Sequence, residues 1–399
     1  MVFHFNPMDP EFVTDPYPTY HRLRSEDPVH ESPLGFWVLT RYEDVVATLR
    51  DPRFAKEPMI AAVAARLGFD AGAVGISMLD RDPPDHTRLR GLASKAFTPR
   101  VVERLRPRVQ EIVDGLLDRV ERAGTMDLIE EFAYPIPVNV ICEMLGVPVE
   151  DHEQFKGWSL DLARGLDSIM LGPESDVVKR SGKAREGLSN YIRQLIGERR
   201  SAPRGDLLSA LIAAEEAGDK LSTEELESMA IAVLIAGTDT TRNQLACTVA
   251  LFTEHPDQWT LLAERPELAP RAVEESMRLL GAIGGTSRFA SEDVEFKGVV
   301  FPKDTAISAS FVAANRDEHV FADPETFDIT RESASPHLTF GSGIHYCLGA
   351  WLARAELQEA LPILARRLPD LTVDGAIEWK PNTVGIWGPA RLPLAFTPN

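Results

Sequence analysis

Apolar residues recur with the spacing of an α-helix through most of the stretch from residue 104 to residue 219. The segments with this pattern include VQEIVDGLLDRVERAG, PVNVICEMLGV, FKGWSLDLARGL and SNYIRQLIGERR. Alternation of apolar and polar residues, which is typical of strands, is confined to short stretches such as GFWVLTRY and parts of residues 291–331. Near the C-terminus, VGIWGPARLPLAF predicts a hairpin with Ile386 and Trp387 at its tip. The pattern therefore predicts many helices and few strands.

The longest predicted helix covers the segment from Leu221 to Pro256. Ser222 and Glu225 form a capping-box pattern at its start. At the usual rise per residue, its roughly 30 residues span about 45 Å, which is enough to cross the whole molecule. The centre of this helix, AGTDTT, has poor helix propensity, and its threonines can bond back to the preceding turn. Because residues of poor helix propensity lie at the centre of a segment that otherwise favours a helix, we predict a functional site there.

A second unusual stretch is FGSGIHYCLG, Phe340 to Gly349, which leads into the helical pattern AWLARAELQEALPILARRL. Its three glycines allow tight turns and a close approach to a bulky group. Cys347 stands where the helix begins, and a helix N-terminus favours the thiolate that a metal ion requires. The alternative is that Cys347 is a small buried hydrophobic residue, but this leaves the glycines and His345 unexplained.

Composition narrows the class of protein. The chain has 399 residues, of which 44% are hydrophobic and 26% charged, and its net charge of −19 argues against a nucleic-acid partner. No run approaches the ~18 apolar residues of a membrane span, and the N-terminus shows no secretory signal pattern. Three separated cysteines do not suggest a disulfide framework. These features predict a cytoplasmic protein that acts neither on nucleic acid nor in a membrane.

Four motifs occur in the order HTRLR, AGTDTT, Glu275-x-x-Arg278 and FGSGIHYCLG. In this combination the sequence resembles the soluble bacterial cytochrome P450 enzymes, which are haem-thiolate monooxygenases. The resemblance implies a mainly α protein with the cytochrome P450 fold, a single helix-rich domain over residues 1–399 with a small β part. It also implies that haem lies between the long central helix and the helix after Cys347.

The resemblance implies haem b (iron protoporphyrin IX) as cofactor, with Cys347 as the iron ligand and no other metal ion. The residues then expected to bind the haem are His86, Arg90, Arg288, Phe340, His345, Cys347 and Gly349. His86 and Arg90 are four residues apart on one predicted helix face, as binding of haem carboxylates requires. A solvated basic helix face is the alternative for these two residues.

The AGTDTT motif supplies the expected catalytic residues. By resemblance, Thr240 holds dioxygen and its water, and Asp239 relays protons from solvent. This suits the chemistry, because cleavage of dioxygen needs protons from a hydroxyl and a titratable group. The alternative is a threonine-rich bend packed in the core, in which a buried Asp239 would be costly. Arg242 follows the motif and has no assigned role.

Glu275 and Arg278 share a helix face, and the resemblance adds Arg331 as a third partner. We expect these three residues to form a structural clamp for the cysteine segment. An exposed ion pair of little value is the alternative.

The substrate pocket is expected to be apolar and to include Ile235, Ala236, Ile283, Ile386 and Trp387. Residues 56–80 are expected to form a lid over it. Trp387 either narrows the pocket or is an ordinary core tryptophan. Macrolides, terpenoids, steroids, fatty acids and aromatic compounds all suit such a pocket.

The predicted reaction is insertion of one oxygen atom from O2 into a C–H bond of an apolar small molecule. Electrons are expected from NAD(P)H through a separate reductase and a ferredoxin or flavodoxin. Lys95, Arg100 and Arg354 are candidates for steering that acidic carrier. A peroxide-driven oxygenase and a non-catalytic haem sensor or carrier are the alternatives. The intact Asp239-Thr240 pair favours O2 over peroxide.

Overall fold

The computed structural model describes residues 5–58, 77–94, 97–167, 175–216, 221–332, 335–380 and 385–398. Its helices are α1 (Pro10–Thr14), α2 (Tyr17–Glu26), α3 (Tyr42–Arg50), α4 (Asp85–Ser94), α5 (Pro99–Val120), α6 (Pro135–Leu145), α7 (His152–Asp167), α8 (Asp176–Ser201), α9 (Leu207–Glu216), α10 (Thr223–Glu254), α11 (Pro256–Glu264), α12 (Ala269–Leu279), α13 (Phe311–Ala314) and α14 (Ala350–Arg367). A π-helical turn, Ile129–Ala133, precedes α6. The helices α5 to α8 confirm the helical pattern of the sequence. Within the described ranges, no helix combines the length and hydropathy needed to cross a membrane.

The strands are short and form small sheets. They are β1 (Val29–Ser32), β2 (Phe36–Leu39), β3 (Phe54–Ala55), β4 (Thr125–Asp127), β5 (Gly285–Ala290), β6 (Val294–Phe296), β7 (Val299–Phe301), β8 (Ala306–Ser310), β9 (Thr372–Val373), β10 (Glu378–Trp379), β11 (Pro389–Arg391) and β12 (Pro393–Ala395). The largest sheet described has the order β1-β2-β8-β5-β3, in which only β2 and β8 are parallel. This sheet joins strands from the two ends of the chain.

The register between β3 and β5 brings distant residues together. Ala55 pairs with Phe289 and Phe54 pairs with Ala290 in antiparallel orientation. Continuing that register, Lys56 comes to lie beside Arg288. Two cations that are more than 200 residues apart in the sequence are therefore adjacent at one edge of the sheet.

The predicted C-terminal hairpin is present with different strands. Pro389–Arg391 (β11) pairs antiparallel with Glu378–Trp379 (β10), so Ile386 and Trp387 do lie in the connection between paired strands. The next segment, β12, does not extend this hairpin and instead lies between β4 and β9. Because Leu392 alone separates β11 from β12, the chain has no room to fold back between them.

The long predicted helix is α10, with 32 residues. Its capping box is formed, because the Ser222 main-chain N–H donates to Glu225 Oε2 at 2.8 Å and the Glu225 N–H donates to Ser222 Oγ at 3.1 Å. Arg88 of α4 also donates to the Glu225 carboxylate. Every residue from Thr241 to Phe252 is buried. This half of the helix thus has no solvent face and crosses the core.

The helix that follows the cysteine segment, α14, packs parallel to α5. Arg106 of α5 donates to Glu359 at 2.7 Å, and Arg367 at the end of α14 donates to Asp118 at 2.7 Å. The parallel arrangement places the first turns of both helices at the same level. The cysteine segment is thereby anchored to the helical core.

Glu356 on α14 is a buried carboxyl group, 1% exposed, whose oxygens have no hydrogen-bond partner among the described residues. Burial raises its pKa well above the usual value. Below the pKa that this group has in the unfolded state, it is protonated in both states and its contribution to stability is fully present. As pH rises above that value, the unfolded state releases the proton first, and the contribution is lost. The carboxyl group therefore opposes folding increasingly from about pH 5 upward.

We expect the free energy of unfolding to decrease less between pH 5 and pH 8 in Glu356→Gln than in the unmodified protein. The unfolding equilibrium of the unmodified protein should shift by at most about tenfold per pH unit relative to the variant. Denaturation midpoints measured across this pH range test the effect. Glu356→Met also removes the titrating group and should show the same flattened profile. Parallel pH profiles for all three proteins would contradict this account.

Candidate cofactor and proton-relay site

The cysteine segment turns through two glycines with left-handed backbone angles. Gly341 and Gly343 have φ values of 72° and 70°, and a Cβ atom at Gly343 would collide with the Leu49 carbonyl group of α3. The Cys347 N–H then donates to the Phe340 carbonyl oxygen at 2.9 Å. The prediction that these glycines allow tight turns is confirmed, whereas the close approach seen at Gly343 is to the main chain of α3. The turn presents Cys347 just before α14, where it is exposed.

The electrostatic setting of Cys347 differs from the expectation. Although the residue is accessible to solvent, the dense protein surroundings raise the pKa of its thiol, and the Gly349 N–H, Arg90 and Arg354 only partly oppose this. The helix N-terminus alone therefore does not hold a thiolate here. A bound cation at the sulfur is what would favour the deprotonated form.

Five nitrogen-bearing side chains gather beside the cysteine segment, and we call them the cationic cluster. They are Lys56, His86, Arg90, Arg288 and His345. The rings of His86 and His345 lie 4.2 Å apart between centroids, and Arg90 Nη2 donates to the Tyr346 carbonyl oxygen at 2.6 Å. Four of the five residues were predicted to bind the cofactor. Their convergence excludes a simple solvated helix face for His86, which is 1% exposed.

The two histidines of the cationic cluster are held in their neutral form by burial and by the neighbouring cations. Burial and the neighbouring Arg288, His86, Lys56 and Arg90 lower the pKa of His345 to about 3. Burial, with a contribution from Arg90, also lowers the pKa of His86. Both ring nitrogens of His86 and Nε2 of His345 are buried without a hydrogen-bond partner among the described residues. Each neutral imidazole carries one N–H donor, and a buried donor without a partner fits an anion that accepts from it.

Lys56 is a member of the cluster that sequence analysis missed. Its Nζ donates to Thr286 Oγ1 at 3.3 Å. Burial and then Arg288 lower its pKa to about 8, against the opposing effect of Asp80 and Asp82. A single lysine after a two-residue strand carries no sequence signal, since its position depends on the pairing of β3 with β5.

The lid predicted for residues 56–80 falls largely on residues outside the described part of the chain.

At the centre of α10, Thr240 is half-buried and donates from Oγ1 to the Ala236 carbonyl oxygen at 2.7 Å. The predicted back-bond to the preceding turn is therefore present. Asp239 is 5% exposed, and the side-chain amide of Asn243 donates to its Oδ1 at 3.2 Å. Arg242 Nη2 lies 2.5 Å from the same oxygen. Arg242, which sequence analysis left unassigned, is the ion-pair partner of Asp239.

The predicted clamp has the geometry of a buried triad. Arg278 donates to the two oxygens of Glu275 at 2.8 and 2.9 Å, and Arg331 Nε donates to Glu275 Oε1 at 2.9 Å. Glu275 and Arg278 are 4% and 3% exposed, which excludes the alternative of an exposed pair. Arg278 also donates to the carbonyl oxygens of Pro324 and Asn315 at 2.6 and 3.1 Å.

The clamp is linked to the cysteine segment through Asn315. The Asn315 side chain accepts from the Leu338 N–H at 2.7 Å and donates to Thr339 Oγ1 at 3.1 Å. Thr339 Oγ1 in turn donates to the Met277 carbonyl oxygen of α12 at 2.7 Å. These bonds end directly before Phe340. The contacts agree with the structural role predicted for the clamp.

Among the predicted pocket residues, Ile283 and Ile386 form an isolated antiparallel bridge, and Ile235 and Ala236 are partly buried neighbours on α10. Trp387 differs, because its ring stacks on Trp379 at 4.5 Å between centroids. Successive side chains of an extended chain point to opposite faces, so Ile386 and Trp387 do not face the same cavity. The geometry favours a tryptophan that packs on Trp379 over one that narrows the pocket, although its side chain is partly buried and does not belong to the core.

The three cations proposed for steering an acidic carrier are not equivalent. Arg354 donates to both oxygens of Glu274 at 2.6 and 2.8 Å, and its guanidinium lies 4.5 Å from the ring centroid of Phe340. Its charge is neutralised by Glu274, which corrects the expectation for this residue. Arg100 is exposed at the first turn of α5, and Lys95 lies outside the described residues.

The residues present fit a haem group. Cys347 offers a thiol at an exposed turn, and two residues earlier His345 belongs to the cationic cluster, whose free donors suit the carboxylates of that cofactor. At Gly349 a Cβ atom would meet no protein atom within 4 Å, so the chain leaves space at this point. A separate surface cavity of about 510 Å³ among α5, α6 and α7 shares none of these residues.

Comparison with known proteins agrees with this fit. The family model described as Cytochrome P450 matches residues 30–264 and 257–369. Nocardicin C N-oxygenase from Nocardia uniformis subsp. tsuyamanensis is 42% identical over 98% of each chain. Vitamin D(3) 25-hydroxylase from Pseudonocardia autotrophica is 40% identical over 97% of this chain and 95% of its own. The crystal structure of CalO2 superposes with a TM-score of 0.92 at 35% identity over the whole of both chains.

Proposed function

The chain belongs to the cytochrome P450 family of monooxygenases, and from this premise we propose that it inserts one oxygen atom from O2 into a C–H bond of an apolar natural product. The observation that carries the proposal is the position of the Cys347 thiol beside the cationic cluster. In that arrangement Cys347 would supply a sulfur ligand to the iron of one cofactor, and the cationic cluster would bind its carboxylates. Haem iron is the cofactor of the family, and we propose the haem b form.

Each residue of the site then has a distinct task. When bound, the haem supplies the activation of O2 and the oxidising power. Cys347 would hold the iron, and the two carboxylates would be bound by Lys56, His86, Arg90, Arg288 and His345. The Thr240 hydroxyl would hold a proton at Oγ1, and the Asp239 carboxylate would pass protons toward it from solvent. Ile235, Ala236, Ile283 and Ile386 exclude water and orient the substrate.

The substrate class rests on the lining of the pocket and on the relatives. The lining residues proposed from the sequence are apolar or small, which suits a hydrophobic molecule. The two relatives bear the names of an N-oxygenase and a hydroxylase, and those names point to different substrates. A natural product with an accessible C–H bond is the class that fits both the pocket and the family.

We propose that electrons reach the site from NAD(P)H through a separate reductase and a ferredoxin or flavodoxin. Three exposed apolar side chains, Ile344, Tyr346 and Trp351, surround Cys347 in sequence and support docking of a carrier there. Arg100 adds an exposed positive charge at the level of Trp351, because α5 and α14 are parallel. A cytoplasmic location is part of the proposal, and the three unpaired cysteines support it.

Optical titration of the purified ferric protein tests the function. The panel comprises macrolides, terpenoids, steroids, fatty acids and aromatic compounds. We expect a saturable blue shift of the main haem absorption band with one class, and O2-dependent hydroxylation of that compound with NAD(P)H and a ferredoxin or flavodoxin system. Product formed with peroxide but not with O2 and carrier would favour the peroxide-driven alternative. Spectral binding without any product would favour a non-catalytic haem protein.

Lys56 provides a separate test of the cofactor assignment. We expect Lys56→Met to speed haem loss by about tenfold, since a hydrogen bond to a charged group typically contributes that much. Transfer of haem to an excess of an acceptor apoprotein measures the rate. Lys303→Met removes an exposed lysine and is the matched control. Equal rates for the two variants would remove Lys56 from the carboxylate site.

A further inference from the structure

Asp82 lies beside the cationic cluster, where three segments of the chain meet. It precedes α4, and its main-chain carbonyl oxygen accepts from the His86 N–H at 3.1 Å. Its side chain is 22% exposed, and Oδ1 is 4.0 Å from Nε2 of His345 in the cysteine segment. Because the cluster is proposed to bind two carboxylates, a further carboxylate fixed beside it would repel them. The presence of Asp82 at this place therefore needs a physical reason.

The Asp82 carboxylate holds the main chain at the end of β3. The Lys56 N–H lies 3.0 Å from each of its oxygens, and the Glu57 N–H donates to Oδ2 at 2.8 Å. Hydrogen bonds to a charged acceptor are among the strong ones. An ion pair between Glu57 and Arg81 joins the same two segments, but it is partly exposed and such pairs contribute little. Asp82 thus fixes the chain at the first residue after the paired strand.

The other end of Lys56 is held by β5. Lys56 Nζ donates to Thr286 Oγ1 at 3.3 Å, and Arg288 Nη1 donates to the same oxygen at 3.1 Å. Lys56 is therefore fixed both at its main chain, by Asp82, and at its ammonium group, by Thr286. A lysine side chain loses rotamer freedom when it is fixed, so an ammonium group that is already in place binds an anion at a lower entropic cost.

Asp80 is a second carboxylate near Lys56 and allows a comparison. Both Asp80 and Asp82 favour the charged form of the Lys56 ammonium group and so raise its pKa against the effects of burial and Arg288. The Asp80 carboxylate accepts from Ser77 Oγ at 3.1 Å. Among the described residues, the main-chain N–H of Lys56 donates to Asp82 and not to Asp80. The two acidic residues therefore share the charge effect, and Asp82 alone has the main-chain bonds.

We propose that Asp82 is a positioning residue that fixes the main chain at Lys56 and thereby places the Lys56 ammonium group for the carboxylates of the cofactor. This inference rests on the proposed cofactor site. The charge of Asp82 weakens the binding of other carboxylates, whereas its hydrogen bonds strengthen it through Lys56. Because these two effects have opposite signs, removal of the Asp82 side chain shows which one is larger.

The central experiment measures the rate of haem transfer from the loaded protein to an excess of an acceptor apoprotein. We expect Asp82→Ala to speed haem loss by up to about tenfold, the effect expected for Lys56→Met. Asp82→Asn keeps a carbonyl oxygen for the same N–H groups without the charge, and it should restore most of the slow rate. Asp80→Ala is the matched control, because it removes a nearby charge and no main-chain bond. It should leave the rate unchanged or lower it.

Two further measurements separate positioning from a general structural effect. If Asp82 acts through Lys56, Asp82→Ala should change the rate less than twofold when it is added to Lys56→Met. Amide hydrogen exchange at residues 56 and 57 should be faster in Asp82→Ala than in Asp80→Ala or the unmodified protein. Asp82 is partly exposed and lies outside the apolar core, so the denaturation midpoint of Asp82→Ala should stay close to that of Asp80→Ala.

The outcomes distinguish this inference from the proposed function. Unchanged or slower haem loss in Asp82→Ala, with faster loss in Lys56→Met, would overturn the role of Asp82 and leave the cofactor site in place. Rate effects that multiply in the double variant would also overturn it, because Asp82 would then act independently of Lys56. Lack of any effect of Lys56→Met would remove both residues from the carboxylate site. Normal haem binding without O2-dependent product would overturn the proposed function alone.

Discussion

Cys347→Ser is expected to abolish oxygenation and the thiolate-type carbon monoxide spectrum. Serine is similar in size to cysteine but its hydroxyl stays protonated at neutral pH and does not supply a thiolate to iron. The loss should exceed about 100-fold, since changing even an outer-shell partner of a metal ligand commonly costs 10–100-fold. The measurements are the carbon monoxide difference spectrum of the reduced protein and product formation with O2.

The two other cysteines are matched controls for this prediction. Cys142 on α6 and Cys247 on α10 are both buried, and burial raises the pKa of the Cys142 thiol to about 12. Cys142→Ser and Cys247→Ser should retain the thiolate spectrum even where they lower stability. A normal spectrum and activity in Cys347→Ser would instead remove Cys347 from the iron site, and the proposed mechanism would fail with it.

Glu275→Gln is expected to destabilise the protein by about 3–5 kcal/mol, the usual cost of breaking a buried ion pair. The variant leaves two guanidinium groups, Arg278 and Arg331, facing a neutral amide. Both arginines also donate hydrogen bonds to main-chain carbonyl oxygens between residues 315 and 326. If the arginines shift, the segment before the cysteine turn should become less ordered. The free energy of unfolding measures the first effect, and the rate of haem loss measures the second.

Glu274, the preceding residue on α12, provides the control. Its side chain is 40% exposed, pairs with Arg354 and lies 3.3 Å from His337 Nε2, so Glu274→Gln should cost less than Glu275→Gln, on the order of 1 kcal/mol. Equal destabilisation by the two substitutions would show that the triad has no special role. Rapid haem loss in Glu275→Gln with little loss of stability would place the clamp in cofactor binding alone.

Local sequence patterns were sufficient to predict the long helices of the fold. The capping box at Ser222 and the apolar run behind it predicted α10, and the helical spacing of apolar residues predicted α5 to α8. The glycines before Cys347 predicted a tight turn. In each case the signal and its cause lie within a few residues, or within one helix. Organisation as a single domain stays a prediction.

Residues whose roles depend on distant partners could not be predicted in this way. Lys56 belongs to the cationic cluster because β3 pairs with β5, more than 200 residues later in the chain. Arg354 was expected to help steer an acidic electron carrier, but Glu274 on another helix neutralises its charge. Trp387 faces Trp379 because of strand alternation. The pair formed by Arg242 was within reach of the sequence, since i, i+3 spacing alone places it beside Asp239.

The strand order of the largest sheet also determines when each of its strands can pair during synthesis of the chain. Strands β1, β2 and β3 leave the ribosome early, but β2 pairs with β8 and β3 pairs with β5, which end at Ser310 and Ala290. Strands β1 and β2 can pair with each other at once, but β8, the second partner of β2, and β5, the partner of β3, are completed about 270 and about 235 residues later. His345 and Cys347 are made later still. A cofactor held by both Cys347 and the cationic cluster can therefore be bound only near the end of synthesis, when the helical core is already available to fold.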